Sequence, residues 1–359
     1  MIDIADKTSE RKLDHIEICL EEDVESRFKS TGFEDIDLIH QASAEVNLSD
    51  INTTARIFGK EIEAPILISP MTGGHERGKK INRTMARAAR ELGIGMCVGS
   101  QRAGLGNEKL TDTYQVRDIA PEILLMGNLG IAQLSDGYGL KKAREAIEMI
   151  GADALGIHLN SLQEAIQPEG ETDLKKGLKG FSRVASELDK PVYVKETGAG
   201  ITGKVARKFE DAGSSAIDVS GAGGTSWAGV EQLRSSEGST LGDVFWDWGI
   251  PTSVSTAEVA KSVDIPVIAS GGIRTGIDAA KAIALGADFV GVALPLIRAS
   301  VKGKKAVVRW LKEFISEIKT AMFLTKSSDI KELKKSPLSI AGNTKDLFIS
   351  RGLKPKDYR

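Results

Sequence analysis

The 359-residue chain is poor in the residue types that would point to a disulfide scaffold, a nucleic-acid surface or a membrane span. Two cysteines, Cys19 and Cys97, exclude a disulfide framework and a thiolate metal site and favour the reducing cytosol. A formal net charge of −2 lacks the basic excess that binds nucleic acid or anionic lipid. No window reaches about 18 apolar residues, and the N-terminus is polar where a signal peptide is apolar. We therefore expect a soluble, cytoplasmic protein with no nucleic-acid or membrane partner.

The middle of the chain repeats one pattern, a short β-branched or apolar run followed by an amphipathic helical stretch. Strands of parallel sheets are buried on both faces and have this apolar composition, and their alternation with helices indicates βαβ units. Eight such units predict an α/β fold, the (β/α)8 TIM barrel. The predicted strands cover residues 65–70, 94–100, 123–128, 154–158, 191–195, 216–220, 266–270 and 288–292.

Segments outside the repeat define the predicted domain organisation. Residues 1–64 are expected to form an N-terminal extension with a helix at 20–29 and a hairpin around residues 58–60 that covers the bottom of the barrel. The barrel is expected to occupy residues 65–325, and a helical tail is expected at 326–359.

A long insertion, residues 221–250, follows the sixth predicted strand. Loops of this length in a compact domain are usually lids or contact surfaces. Its tryptophans, Trp227, Trp246 and Trp248, are consistent with a lid, a subunit contact or core packing.

The densest polar cluster follows the fourth predicted strand and contains His158, Asn160, Gln163 and Glu164. In a barrel of this kind, the carboxyl ends of the strands carry the chemistry. The cluster offers an imidazole, two amides and a carboxylate, which can donate hydrogen bonds, bind a metal or transfer protons. Polar residues also cap helices, so the cluster alone does not name a reaction.

Other strand ends point to a bound anion. Lys195 closes the buried fifth strand and needs a partner that offsets its desolvation, either an anionic reduced flavin or a neighbouring carboxylate. Glycines with an arginine follow the seventh strand, where barrels commonly bind phosphate, although a tight turn is the alternative. Further candidate groups at strand ends are Met71, Thr72, Gly73, Ser100, Gln101, Arg102, Asn128, Ser220, Thr225, Gly271, Gly272, Arg274, Ala293 and Leu294.

Six separated motifs occur between residue 11 and about residue 295: Arg11-Lys12-x-Asp14-His15-Ile16, Met71-Thr72-Gly73-Gly74, Gly99-Ser100-Gln101-Arg102, His158-x-Asn160-x-x-Gln163-Glu164, Asp218-x-Ser220-Gly221-x-Gly223-Gly224-Thr225 and Ser270-Gly271-Gly272-x-Arg274. Together they resemble the motif set of the type 2 isopentenyl-diphosphate isomerases. The resemblance implies FMN, a divalent metal, NADPH as the reductant that keeps the flavin reduced, a small diphosphate substrate, and a homo-oligomer, tetramer or octamer.

The resemblance also implies roles by position. Glu164 would bind Mg²⁺, or Mn²⁺, that bridges to the diphosphate. The substrate would be bound by Arg11, Lys12, Ser100, Gln101, Arg102, His158, Asn160 and Gln163. FMN would be bound by Ser69, Met71, Thr72, Gly73, Ser100, Asn128, Lys195, Ser220, Thr225, Gly271, Gly272, Arg274, Ala293 and Leu294.

The implied reaction moves a double bond by adding a proton at one carbon and removing one from a neighbouring methylene. It requires a strong acid and a water-poor site that stabilises positive charge. Because Glu164 is expected to bind metal and Gln163 is a poor acid, our hypothesis is that the reduced flavin, near N5, donates and recovers the proton. Lys195 would tune its N1 side, and Gln163 would orient or relay.

Two other classes stay open at this point. A 2-hydroxyacid oxidase or another FMN redox barrel would share Lys195 and the glycines, but needs a histidine or arginine arrangement for a carboxylate that Gln163 and Glu164 do not supply. A non-catalytic phosphate-binding barrel would explain the glycines, but neither Arg11 and Lys12 nor the cluster at 158–164.

Overall fold

The computed structural model describes residues 4–135, 139–235 and 238–358, with the backbone alone for residues 4–9. The strands are β1 Ile36–Leu38, β2 Ala55–Ile57, β3 Lys60–Ile62, β4 Ile66–Ile68, β5 Gly95–Cys97, β6 Leu125–Gly130, β7 Ala154–Leu159, β8 Val192–Glu196, β9 Ile217–Asp218, β10 Val267–Ser270, β11 Phe289–Val292 and β12 Leu338–Ile340. Strands β4 to β11 are parallel, and β11 pairs with β4 to close the barrel. The predicted eight-stranded TIM barrel is confirmed.

Helices alternate with these strands and extend the chain at both ends. They are α1 Ile4–Glu21, α2 Glu76–Leu92, α3 Arg102–Gly106, α4 Ile131–Ser135, α5 Leu140–Ile150, α6 Ser161–Ile166, α7 Gly177–Glu187, α8 Gly203–Asp211, α9 Trp227–Arg234, α10 Leu241–Val244, α11 Thr252–Ala260, α12 Gly276–Ala284, α13 Leu294–Ser300, α14 Lys304–Leu324, α15 Ile330–Leu333 and α16 Gly342–Ser350. No helix in the described ranges is long and apolar enough to cross a membrane.

Burial explains why the strands are apolar along their whole length. All barrel-strand residues are buried except the last two of β7, His158 and Leu159, which are half-buried. The inner face packs inside the barrel and the outer face packs on the helices. Helices α2 and α5 end at Gly93 and Gly151, whose positive φ angles of 62° and 63° turn the chain back toward the next strand.

The hairpin of β2 and β3 closes the amino end of the barrel, as predicted. Phe58 and Gly59 form its two-residue turn, with φ angles of 50° and 78°. Ile57 and Ile62, each 3% exposed, pack with the inward-facing barrel side chains, and the ring of Phe58 stacks on Tyr193 with centroids 5.4 Å apart. The hairpin therefore fills the bottom of the barrel with apolar side chains.

The predicted helix at residues 20–29 is wrong, because α1 lies earlier and ends at Glu21. After α1, the backbone pairs with the insertion instead of with itself. Ser26 N donates to Gly224 O at 2.8 Å, Ser226 N donates to Val24 O at 2.7 Å, and Arg27 N donates to an Asp247 carboxylate oxygen at 2.9 Å. These tertiary hydrogen bonds replace the helical ones that the local sequence favours.

The C-terminal tail differs from the all-helical segment that we expected. It contains β12, which pairs antiparallel with β1 so that Ile36 lies opposite Ile340. The burial of β12 alternates, with Leu338 and Ile340 buried and Ser339 exposed, which is the two-residue period of a strand. The extension and the tail thus pack together beside the barrel.

The hairpin offers a direct test of how the barrel bottom is stabilised. We expect Ile62→Ala to lower the free energy of unfolding by about 2–5 kcal/mol, because it leaves a cavity among buried side chains. The measurement is denaturant unfolding monitored by circular dichroism. The neighbouring Glu61→Ala, whose side chain is 64% exposed, should change stability by no more than about 0.5 kcal/mol. Equal effects of both variants would contradict a packed plug at Ile62.

Candidate active site

One cavity opens at the carboxyl end of the barrel, beneath α1. Residues from the extension, the strand ends and the insertion all contribute to its wall, so that its chemistry depends on segments far apart in the chain. The predicted site residues that line it are Lys12, Ser69, Met71, Thr72, Ser100, Asn128, His158, Gln163, Lys195, Ser220, Thr225, Gly271, Gly272, Arg274, Ala293 and Leu294.

Strand register explains why the polar residues converge. Gly130 on β6 lies opposite His158, His158 lies opposite Lys195, and Lys195 lies opposite Asp218 on β9. Four neighbouring strands therefore present these residues at the same level of the barrel mouth. Ser220, just after β9, has a φ of 36°, an uncommon backbone conformation for a residue with a side chain.

Lys195 is buried and is paired inside the protein. Its Nζ donates to the Glu196 carbonyl oxygen at 2.6 Å and lies 3.5 Å from Asp218 Oδ2. Asp218 Oδ1 in turn accepts from Ser270 Oγ at 2.5 Å. The carboxylate partner that we considered for Lys195 is thus present, and Lys195 also faces the cavity.

The cavity wall carries buried polar atoms that fit a flavin. Among the described residues, Thr72 Oγ1 and Asn128 Nδ2 are buried and have no hydrogen-bond partner. Unpaired buried donors are costly, and the carbonyl oxygens and ring nitrogens of a flavin pair with such groups. Gly271, Gly272, Ala293 and Leu294 line the same cavity at the ends of β10 and β11, where barrels commonly bind phosphate. The donor set fits FMN.

Gln163 is held by a buried carboxylate that the sequence analysis did not identify, Glu231 on α9. Gln163 Nε2 donates to Glu231 Oε1 at 2.7 Å, and His15 Nε2 lies 3.0 Å from the same oxygen. Arg234 Nε donates to the other oxygen at 2.7 Å. Burial alone would raise the pKa of Glu231, but these hydrogen bonds and the charge of Arg234 lower it to about 2. Glu231 is therefore anionic at neutral pH.

His158 is neutral at neutral pH. Burial, reinforced by the positive charges of Lys12 and Lys195, lowers its pKa to about 3. Its Nδ1 lies 2.8 Å from Asn128 Oδ1, which fixes the ring against β6. His158 therefore offers a neutral hydrogen-bonding group at the cavity wall, and not a permanent positive charge.

The predicted cationic residues are arranged around the cavity and most are paired with carboxylates. Arg11 lies 3.5 Å from Glu169, Arg102 pairs with Glu171, and Arg274 Nε donates to Glu25 at 2.8 Å. Lys12 faces the cavity itself, and burial together with the charge of Arg11 lowers its pKa to about 8.

Glu164 lies outside the cavity wall and is fully buried among donors. Its Oε1 accepts from Asn160 Nδ2 at 2.8 Å, and its Oε2 accepts from Gln167 Nε2 at 2.5 Å and from Glu171 N at 2.7 Å. The described residues contain no group of three or more His, Cys, Asp or Glu side chains that could hold a metal ion by themselves. Asn160, whose Nδ2 donates to Glu164, has a buried Oδ1 without a hydrogen-bond partner. One carboxylate and one amide oxygen fit Mg²⁺, which keeps waters and takes other oxygens from a bound phosphate.

Gln101 lies away from the cavity, in the layer between strands and helices. It is completely buried, its Nε2 donates to Ala146 O at 2.8 Å, and its Oε1 accepts from Asn128 N at 2.9 Å. Gly73 also lies outside the wall, and a Cβ there would meet the ring of Tyr114 at 1.9 Å. The predicted site residues outside the cavity wall are Arg11, Gly73, Gln101, Arg102, Asn160 and Glu164.

The three tryptophans of the insertion have three different environments. Trp227 lines the cavity and packs edge-on against His15, with ring centroids 5.3 Å apart. Trp246 is buried, and its indole N–H donates to Glu25 O at 2.9 Å. Trp248 is 60% exposed. One tryptophan therefore lies in the cavity wall, one in the core and one on the surface.

Sequence reasoning missed the carboxylates that hold the site together. His15 belongs to a quoted motif, but its role was not assigned. Glu231 lies in α9, directly after Ala228, Gly229 and Val230. A charged residue next to this small and apolar run was the available signal.

Comparison with known proteins agrees with the sequence motifs. The FMN-dependent dehydrogenase family matches residues 5–115 and 165–340. The chain is 49% identical over 351 residues to the isopentenyl-diphosphate delta-isomerase of Methanothermobacter thermautotrophicus, with 98% of each chain covered. It is 48% identical to that of Methanosarcina mazei, with 98% of this chain and 97% of the relative covered.

A solved mandelate oxidase superposes with a TM-score of 0.64 at 19% identity, covering 95% of this chain and 100% of its own, which shows a shared fold. The full-length likeness to the isomerases is much higher in identity. The chain therefore belongs to the FMN-dependent dehydrogenase family and, within it, to the type 2 isopentenyl-diphosphate delta-isomerases.

Proposed function

We propose that the protein interconverts isopentenyl diphosphate and dimethylallyl diphosphate by an allylic proton shift, with reduced FMN and Mg²⁺. The observation that carries the proposal is the meeting of α1 with the flavin-type strand ends. Lys12 and His15 of α1 line the same cavity as Gln163, Lys195 and Gly271. A barrel that only binds phosphate has no need of this combination.

The flavin would be bound by the cavity wall that carries Thr72, Asn128 and Lys195, with its phosphate near Gly271 and Gly272. Bound in its reduced form, FMN supplies an electron-rich ring and an exchangeable proton near N5, which is acid–base chemistry without net redox change. The ammonium of Lys195 would lie beside the pyrimidine edge. Asp218 and the Glu196 carbonyl hold that ammonium in place.

The diphosphate would lie between α1 and the strand ends, near Lys12, Arg11, Arg102 and His158. A globally near-neutral chain can bind it because Lys12 faces the cavity and Arg11 and Arg102 lie near Lys12. The neutral His158 offers a hydrogen bond. Glu164 would bind Mg²⁺ and so add a hard cation to the same anion. In this arrangement the hydrocarbon end of the substrate would point toward the flavin.

The chain's contribution to proton movement is to orient Gln163 and to exclude water. Gln163 donates its amide N–H to Glu231, so its carbonyl oxygen is the atom that would face the reacting carbons. Asn160 Nδ2 lies 3.3 Å from that oxygen. Trp227 and His15 cover the cavity with rings. NADPH as reductant, the homo-oligomer (tetramer or octamer) and the cytoplasmic location stay predictions.

Direct assay tests the function. The purified protein with FMN, NADPH, Mg²⁺ and isopentenyl diphosphate in D₂O, kept anaerobic, should produce deuterated dimethylallyl diphosphate, detected by NMR. Omission of the reductant should abolish product. No conversion by protein that carries reduced FMN would exclude the proposal, and bleaching of oxidised flavin by a 2-hydroxy acid would favour an oxidase.

Lys12 should set the alkaline limit of activity. Its lowered pKa of about 8 means that the ammonium loses its proton, and the diphosphate loses a cation, as the pH rises through 8. We expect kcat/KM to fall above that pH, and the fall to move to higher pH in Lys12→Arg, whose guanidinium stays charged. The measurement is kcat/KM from pH 6 to 10, expressed as a difference between the two proteins. An unshifted alkaline limb in Lys12→Arg would assign it to another group.

Lys195 should affect both flavin binding and turnover. Loss of its charge in Lys195→Met should lower kcat by about 100-fold at saturating FMN, as loss of one preorganised electrostatic group does. Kinetics and flavin absorbance of the reconstituted protein measure the two effects. Lys29→Met is the matched control, since the ammonium of Lys29 also donates to a carbonyl, Gly249 O at 2.6 Å, but outside this cavity. Full activity with normal FMN content in Lys195→Met would reject the role.

A further inference from the structure

A chain of hydrogen bonds runs from the buried end of β6 to the half-buried side chain of Arg102. Gly130 N donates to Gln133 Oε1 at 2.9 Å, and Gln133 Nε2 donates to Glu171 Oε2 at 3.0 Å. The other oxygen of Glu171 accepts from Arg102 Nη2. Gln133 is 4% exposed, so its amide is fixed by these two contacts. The barrel backbone therefore determines where the carboxylate of Glu171 lies.

The order of donors and acceptors favours a carboxylate at position 171. Because the amide oxygen of Gln133 is used by Gly130 N, its nitrogen must face Glu171. Arg102 presents only N–H donors from the other side. The two carboxylate oxygens of Glu171 accept from these two sides, Oε2 from Gln133 and Oε1 from Arg102.

Glu171 also touches the carboxylate that we assign to the metal. Its backbone N–H donates to Glu164 Oε2 at 2.7 Å, and Gln167 Nε2 donates to the same oxygen. One residue thus contacts, through its side chain, an arginine assigned to the diphosphate and, through its backbone, the metal-binding carboxylate. Neither Glu171 nor Gln133 lines the cavity, so neither contacts the reacting atoms.

We propose that Glu171, held by Gln133, is a positioning residue that fixes Arg102 and Glu164 in the relative geometry that a metal–diphosphate group requires. The proposal rests on the proposed function, since it takes the diphosphate as the ligand. In the described part of the chain, the contact with Glu171 uses one nitrogen of Arg102, Nη2, and leaves Nε and Nη1 for phosphate oxygens. Glu171 and the diphosphate can therefore bind Arg102 together.

The test compares Glu171→Gln with a double variant that exchanges the carboxylate and the amide between positions 171 and 133 and so preserves the net charge. Glu171→Gln has one carbonyl oxygen for two donors, so one contact is lost, and KM for isopentenyl diphosphate should rise about tenfold with kcat nearly unchanged. In the double variant Glu171→Gln with Gln133→Glu, position 133 accepts from Gly130 N and from the amide of position 171, whose oxygen accepts from Arg102. Every contact has a matching partner again, and KM should return to within about threefold of wild type.

Two controls accompany the kinetics. The dissociation constant of inorganic pyrophosphate with Mg²⁺, measured by calorimetry, should follow the same order and needs no turnover. Glu61→Gln removes the carboxylate of an exposed pair with Arg56, 3.4 Å apart at the barrel bottom, and should leave KM unchanged.

The outcomes separate this proposal from the proposed function. A wild-type protein that converts no isopentenyl diphosphate rejects the function, and the pyrophosphate measurement still tests the positioning role. An unchanged KM in Glu171→Gln, or a swap without recovery, rejects the positioning role. Tighter pyrophosphate binding in Glu171→Gln also rejects it, because Glu171 would then compete with the diphosphate for Arg102. If Glu171→Gln does not fold, a raised KM in the swap is sufficient to overturn the proposal.

Discussion

The carboxylate of Glu231 joins the three parts of the protein that form the cavity. It accepts from Gln163 after β7, lies 3.0 Å from His15 on α1, and pairs with Arg234 on its own helix. A buried charge is expensive unless several donors surround it, and removal of one donor leaves the remaining charge under-compensated. The docking of α1 over the barrel, and the orientation of Gln163 beneath it, therefore depend on one carboxylate that does not line the cavity.

The charges around the cavity are balanced locally, and this reconciles a net charge of −2 with an anionic ligand. Glu25, Glu169 and Glu171 are paired with arginines of the site, while Lys12 faces the cavity. Pairs of this kind cost less to bury than isolated arginines and hold planar guanidinium groups in fixed orientations. These arginine side chains are therefore held in place without a ligand.

The sequence was sufficient for the barrel because strands buried on both faces leave short apolar runs, and glycines end several of the helices between them. The hairpin turn at Phe58 and Gly59 could likewise be predicted from the sequence. Helix α1 was misplaced, because the choice between helix and loop after residue 21 is made by hydrogen bonds to the insertion, about 200 residues away.

The candidate site could be predicted from the sequence only in part, because contacts between distant segments also determine it. Strand-end residues such as His158 and Lys195 could be found, since the fold brings all carboxyl ends together. The pairing of Glu231 with His15 leaves no periodic signal in the sequence. The same is true of the Gln101 side chain, which lies between the strands and the helices and not in the cavity. Which way a polar side chain points, and which distant charge meets it, are decided by packing between segments rather than by local pattern.

The hairpin that fills the amino end limits how ligands can reach the cavity. With Ile57, Ile62 and Phe58 filling that end, the described part of the chain leaves the carboxyl end, beneath α1, as the approach to the cavity. In the proposed function, FMN and the diphosphate would pass the same opening, and the molecule that binds deeper would have to enter first. A closed amino end would thus set the order in which the two molecules bind.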